Sequence, residues 1–88
     1  MNYFVYILRC HDDTLYTGIT TDLQRRLKEH NSSDKGAKYT KNRRPVELVY
    51  AEKQNDRSNA SKREYLLKHL SRSQKLQLIK EKGLCSAS

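Results

Sequence analysis

Tyr3-Phe4-Val5-Tyr6-Ile7-Leu8-Arg9, followed after a polar turn by Leu15-Tyr16-Thr17-Gly18-Ile19-Thr20, is the stretch on which the fold turns. The first segment is apolar on both alternating faces, with Phe4, Tyr6 and Leu8 on one and Tyr3, Val5 and Ile7 on the other. A strand covered on both sides reads this way, which places it at the centre of a sheet. His11-Asp12-Asp13-Thr14 is short and polar, so the second segment returns as the partner of an antiparallel hairpin. Tyr6 and Tyr16 can then project close together on one face. Gly18 takes a side chain away from that same face, which suits the close approach of another backbone or a ligand.

Thr21 or Asp22 can cap a helix, with Gln24 three residues after Thr21 as in a capping box. The helix is expected to run to about Asn31, with Leu23 and Leu27 as its buried stripe. At roughly 100° per residue, Arg26 and His30 fall beside that stripe, and Arg25 and Glu29 on the far side. Residues 31–44 form a loop rich in Ser, Gly, Lys and Arg, closed by Pro45. A third strand is expected from Val46 to Ala51, with Val46, Leu48 and Tyr50 on one face. Asn55 or Asp56 opens a second helix to about Leu70, with Ala60, Leu66, Leu67 and Leu70 as apolar positions. Ser71 or Ser73 starts a third helix, with Leu76, Ile79 and Leu78 inward, and Gly83 ends it. The order strand, strand, helix, strand, helix, helix is α+β: a small three-stranded antiparallel sheet flanked by three helices. At 88 residues this reads as a single domain over 1–83 with a tail at 84–88.

Charge narrows the partners. The 18 Lys and Arg outnumber the 10 Asp and Glu, a formal +8, which favours a polyanion, nucleic acid before an anionic membrane surface. Cys10 and Cys85 lack zinc-ligand spacing, and without a signal segment they read as reduced thiols of a cytoplasmic protein. No apolar run is long enough to span a bilayer, so no membrane association is expected.

Four further readings concern chemistry. Each tyrosine alone is an ordinary strand residue, and the hairpin that pairs them is what draws attention to them. Arg26 and His30, one turn apart, could neutralise a pentacovalent phosphate and orient the group that activates a nucleophile, or could be a solvated helix edge. A cationic neighbourhood is expected to lower a nearby phenol's pKa and favour it as a general base. Glu64 at the margin of an apolar helical face could hold a divalent cation, or pair with Lys68 or Arg63. Lys35, Lys38, Lys41, Arg43 and Arg44, interleaved with Tyr39 and Thr40, suit phosphate contacts with an aromatic available for stacking.

Taken in order, these residues resemble the GIY-YIG nuclease domain. Phe4-Val5-Tyr6 stands where the family's GIY lies and Tyr16-Thr17-Gly18 where its YIG lies. Thr21 to His30 resembles the helix that carries the family arginine and a frequent histidine, and Glu64 falls where the family holds its metal-binding glutamate. Gly36-Ala37-Lys38-Tyr39-Thr40 and Arg43-Arg44-Pro45-Val46 are similar to the small standalone bacterial members. Two departures are visible: the triplets lack the first glycine and the second isoleucine, and no asparagine follows Glu64. The resemblance implies a catalytic set of Tyr6 as general base, Tyr16 supporting the water, Arg26 stabilising the phosphorane, His30 assisting, and Glu64 holding one Mg2+ or Mn2+ ion. Nucleic-acid contacts are expected from Gly18, Lys38, Tyr39, Lys41, Arg43 and Arg44. The function expected is an endonuclease hydrolysing phosphodiester bonds in structured or damaged DNA, with RNA second. The alternative is a nucleic-acid-binding or interaction module of weak or lost activity, with a protein partner supplying the target.

Overall fold

The computed structural model describes residues 2–32 and 43–82. Three strands, β1 (Tyr3–Arg9), β2 (Leu15–Thr20) and β3 (Glu47–Gln54), form one antiparallel sheet in the order β2-β1-β3. The central place of β1 is the one its two apolar faces require. Helices α1 (Leu23–Ser32), α2 (Arg57–Lys68) and α3 (Arg72–Lys82) cover the sheet. The turn between β1 and β2 closes with Cys10 N–H donating to Thr14 O at 2.8 Å, and Asp13 takes a positive φ of 71°. Aspartate tolerates that conformation, and the Asp12 carboxylate secures it by accepting from Thr14 N–H and its hydroxyl.

The sheet separates two apolar clusters. Val5 and Ile7 pack with Val49, Tyr50, Ala60 and Leu67 on the side of α2 and α3. Tyr6 and Leu8 pack with Cys10 and Val46 on the other side, against Leu23 and Leu27 of α1. The third strand runs past its expected end, and its alternation breaks at a bulge: Ile7 pairs with Tyr50 but Leu8 with Leu48. Val49 is the extra residue, so Tyr50 turns to the face opposite Leu48 instead of sharing it. Sequence periodicity cannot register such an insertion.

Capping chemistry sets the helix starts. Asp22 accepts from Arg25 N–H at 3.1 Å, Asp56 from Asn59 N–H at 2.8 Å, and Ser71 exchanges bonds with Gln74. Two leucines expected inward are not: Leu66 is 55% exposed and Leu76 is 40% exposed. Leu70, Leu78 and Ile79 do pack against the core. Arg63 leaves the stripe of α2 to grip the Glu52 carboxylate on β3 at 2.9 and 3.0 Å.

The end of α1 is clamped to the chain entering β3. Asn31 Nδ2 donates to Val46 O at 3.0 Å, and Val46 N–H donates to Asn31 Oδ1 at 2.7 Å. One side chain therefore imitates a sheet pair and ties down the residue beside His30. Arg44 Nε adds a bond to His30 O at 2.6 Å. Because Val46 is buried, Asn31→Ala would leave its amide and carbonyl without protein partners. The expected loss is about 1–3 kcal/mol in urea unfolding, with Asn31→Asp, which keeps the acceptor, losing less.

Candidate active site

Tyr6 and Tyr16 do share a face, but not as direct opposites. Tyr6 faces Gly18 across the hairpin, and Tyr16 faces Leu8. The diagonal relation sets their ring centroids 6.4 Å apart. The space above Gly18 is filled from within the protein. A methyl group there would lie 2.6 Å from Tyr6 Oη, 2.8 Å from Cζ and 3.2 Å from Tyr16 Cε2. Gly18 is buried, and its lack of a side chain makes room for the Tyr6 phenol.

Above the tyrosines lies α1. His30 is not at the margin of its buried stripe but fully enclosed, at 0% exposure. Its Nε2 lies 3.0 Å from Tyr6 Oη, and its ring sits 5.3 Å from that of Tyr16 and 6.0 Å from that of Tyr6. Arg26, one turn earlier, turns its guanidinium to the Tyr6 hydroxyl and to Glu29, whose carboxylate is 3.1 Å away. Glu29 is thus on the side of Arg26 and not on the far face. A guanidinium can only donate, so the Tyr6 oxygen accepts from Arg26 and directs its own proton to His30. In the tautomer that makes Nε2 the acceptor, Nδ1 carries the ring proton.

The electrostatics reverse one expectation. Burial pushes the Tyr6 phenol up to about 12, outweighing the lowering by Arg26, while Tyr16 and Glu64 push in the same direction as burial. Burial likewise pushes His30 down to about 4, with Arg26 and Arg44 adding to the effect against Glu29. Both groups are therefore neutral near pH 7. The cationic neighbourhood is real, but desolvation of a buried phenol is the larger influence.

Glu64 is placed by the same helix that buries Ala60 and Leu67. Its carboxylate acts electrostatically on Tyr6 and pairs with Lys68 Nζ at 3.5 Å, with about a quarter of its side chain exposed. Among the described residues no group of three His, Cys, Asp or Glu side chains could hold a metal ion. The donor present is one partly exposed carboxylate, a hard oxygen ligand of the kind magnesium or manganese accepts with water completing its shell, and not a protein cage.

The basic residues divide. Lys35, Lys38, Tyr39, Thr40 and Lys41 lie outside the described residues. Arg43 Nε donates to Asp12 at 3.0 Å, and Arg44 binds the His30 carbonyl, so both have a part in holding the chain between the β1–β2 turn and α1. Asn31 was missed by sequence reasoning, since an asparagine at a helix end reads as a terminator. Thr17, the middle residue of the second triplet, is buried with its Oγ1 unpartnered among the described residues. Nothing in the structure explains that choice.

Two outcomes follow from this geometry. Gly18→Ala forces Tyr6 off His30, so a loss of about 1–3 kcal/mol is expected, with a downward shift of the Tyr6 titration followed by ultraviolet absorbance. For His30 the folded pKa lies below the unfolded value near 6.5, so the unfolded chain binds the proton first. Stability is then complete above about pH 6.5 and falls as pH drops towards 4, by roughly 3 kcal/mol. Urea unfolding across that window should show the slope in the wild type and lose this part of it in His30→Gln.

Comparison with known proteins gives the family. A family model described as the GIY-YIG catalytic domain matches residues 2–77. A UPF0213 protein of Desulfotalea psychrophila is 63% identical over 83 residues, covering 92% of this chain and 76% of that protein. One from Syntrophus aciditrophicus is 56% identical over 78 residues, covering 89% and 90%. The solution NMR structure of a UPF0213 protein from Bacillus halodurans superposes with a TM-score of 0.62 at 50% identity, over 96% of this chain and 88% of that one. A protein from E. faecalis gives 0.63 at 46% identity, over 92% and 85%. No described helix is long and apolar enough to cross a membrane. With its tyrosine pair, helix arginine and later glutamate in the family's order, the chain belongs to the GIY-YIG nuclease family.

Proposed function

We propose that this protein is a metal-dependent endonuclease that hydrolyses phosphodiester bonds in structured or damaged DNA, with RNA as a second substrate class. The observation that carries the reading is the Tyr6 hydroxyl, hydrogen-bonded to His30 and faced by Arg26. A water approaching phosphorus can give its proton to the Tyr6 oxygen as the phenol's own proton passes to His30 Nε2. The phosphorus–oxygen bond to the leaving strand then breaks. Tyr6 never has to persist as a phenolate, which removes the difficulty of a pKa near 12. Burial holds His30 down at about 4, so it would carry that proton only while the negative phosphorane offsets the charge and would give it up as the leaving oxygen departs, and Arg26 offers charge to the phosphorane. Tyr16, packed on both rings, would support the water.

Glu64 would hold one Mg2+ or Mn2+ ion. When bound, that ion supplies charge neutralisation at the phosphate oxygens. Lys68 must then release the carboxylate, a small demand for a half-exposed pair.

A second reading is a nucleic-acid-binding or interaction module of weak or lost activity, its target supplied by a partner. It is favoured by the raised Tyr6 pKa if the proton relay to His30 does not operate. A cleavage assay on mixed DNA and RNA substrates with magnesium or manganese separates the two. Under the nuclease reading, Tyr6→Phe and Glu64→Ala slow cleavage by a factor on the order of 100 or more, and Arg26→Ala by about 100–1,000. Wild-type protein that binds these substrates and never cuts them would leave only the module.

A further inference from the structure

The solvent face of α2 carries a feature that the catalytic set does not use. Tyr65 and Leu66 are exposed at 63% and 55%, in a chain with few apolar residues to spare. Together with Ser61 and Lys62 they line a shallow concavity of about 480 Å³. Tyr65 is also ordered from below: the His69 ring lies on it with centroids 4.2 Å apart and planes at 36°. His69 is itself held, its Nδ1–H donating to Tyr65 O at 2.7 Å. An exposed aromatic ring backed in this way is a preformed stacking surface.

Charge selects the occupant. The exposed charged residues within α2 are Arg57, Lys62 and Lys68, and none is acidic. The exposed charge around the aromatic centre is cationic, from Lys62 and from Lys68, whose ammonium is shared with the partly exposed Glu64 carboxylate at 3.5 Å, and this suits a polyanion. The face also adjoins the candidate site. Glu64 precedes Tyr65, and half-exposed Lys68 reaches back to the Glu64 carboxylate.

We infer that the outer face of α2, with Tyr65 backed by His69 and rimmed by Lys62 and Lys68, binds single-stranded nucleic acid. An unpaired base stacks on Tyr65 while flanking phosphates meet the two lysines. The inference rests on the nuclease reading for its link to Glu64, and it narrows the substrate to one with an unpaired strand beside the cut. A duplex keeps its bases stacked inside and offers Tyr65 nothing to receive.

The test is binding of a fluorescently labelled single-stranded oligodeoxynucleotide of mixed sequence, and of the same sequence as duplex, by anisotropy in EDTA so that binding is read without cleavage. The single strand is expected to bind more tightly than the duplex. Tyr65→Ala should weaken single-strand binding roughly tenfold, Tyr65→Phe should match wild type, and Lys62→Gln should reduce the salt dependence. Tyr65 is exposed, so these variants keep the fold. Unchanged single-strand binding by Tyr65→Ala overturns the inference, as does equal affinity for duplex. So does a Tyr65→Ala variant whose only change is loss of self-association in sedimentation. Tyr65-dependent binding without cleavage supports this surface and overturns only the nuclease reading. Cleavage by the wild type with Tyr65-indifferent binding does the reverse.

Discussion

The rest of the site depends on the hydrogen bond between Tyr6 and His30. It joins the central strand to the only helix on that side of the sheet among the described residues. The space it needs exists because position 18 has no side chain. Any larger residue would meet the phenol oxygen at well under contact distance. On the helix side, Asn31 and Arg44 hold the end of α1 against the chain entering β3, so the imidazole cannot drift from its partner. Glycine, tyrosine, histidine and asparagine thus act as one packed unit, and Arg26 is presented to it from the preceding turn.

Burial gives this unit its electrostatic character. In water a phenol beside an arginine would ionise more readily. Here removal from solvent dominates for both partners, holding Tyr6 and His30 neutral and leaving one proton between them. At rest the pair carries no charge, and a proton moved onto His30 would meet the same burial that holds its pKa down. Arg26, partly exposed and paired with Glu29, retains its charge where an anion can reach it. Tyr6 and His30 are therefore dry and neutral, whereas Arg26 is wetter and charged.

Much of this architecture was legible in the chain. The double-faced apolar run of Tyr3 to Arg9 demanded a central strand, and the short polar turn demanded a hairpin. Asp22, Asp56 and Ser71 were among the expected caps because each can accept from a free amide of the first turn. The tyrosine pair, Arg26, His30 and Glu64 were all named as candidates. What escaped notice was anything set by contact between distant segments: the bulge at Val49, the Asn31 clamp, and the outward leucines of α2 and α3. Leu66 and Leu76 obey helical periodicity well enough to pass for core residues, yet the helices are rotated so that of the expected inward positions Leu67, Leu78 and Ile79 face the core and these two do not.

By itself, the sequence determined which residue types exist, their order, and the local periodicities that assign them to strands and helices. Those follow from interactions within a few residues and need no knowledge of the whole. Tertiary structure decided the environment of each group. Gly18 became room for a ring, and Arg43 and Arg44 acquired partners at the turn and the helix end. Tyr6 also moved away from ionisation, although its charged neighbour had argued the opposite. Solvent exclusion is the physical reason, because desolvation depends on every segment packed around an atom, and no stretch of chain encodes it alone.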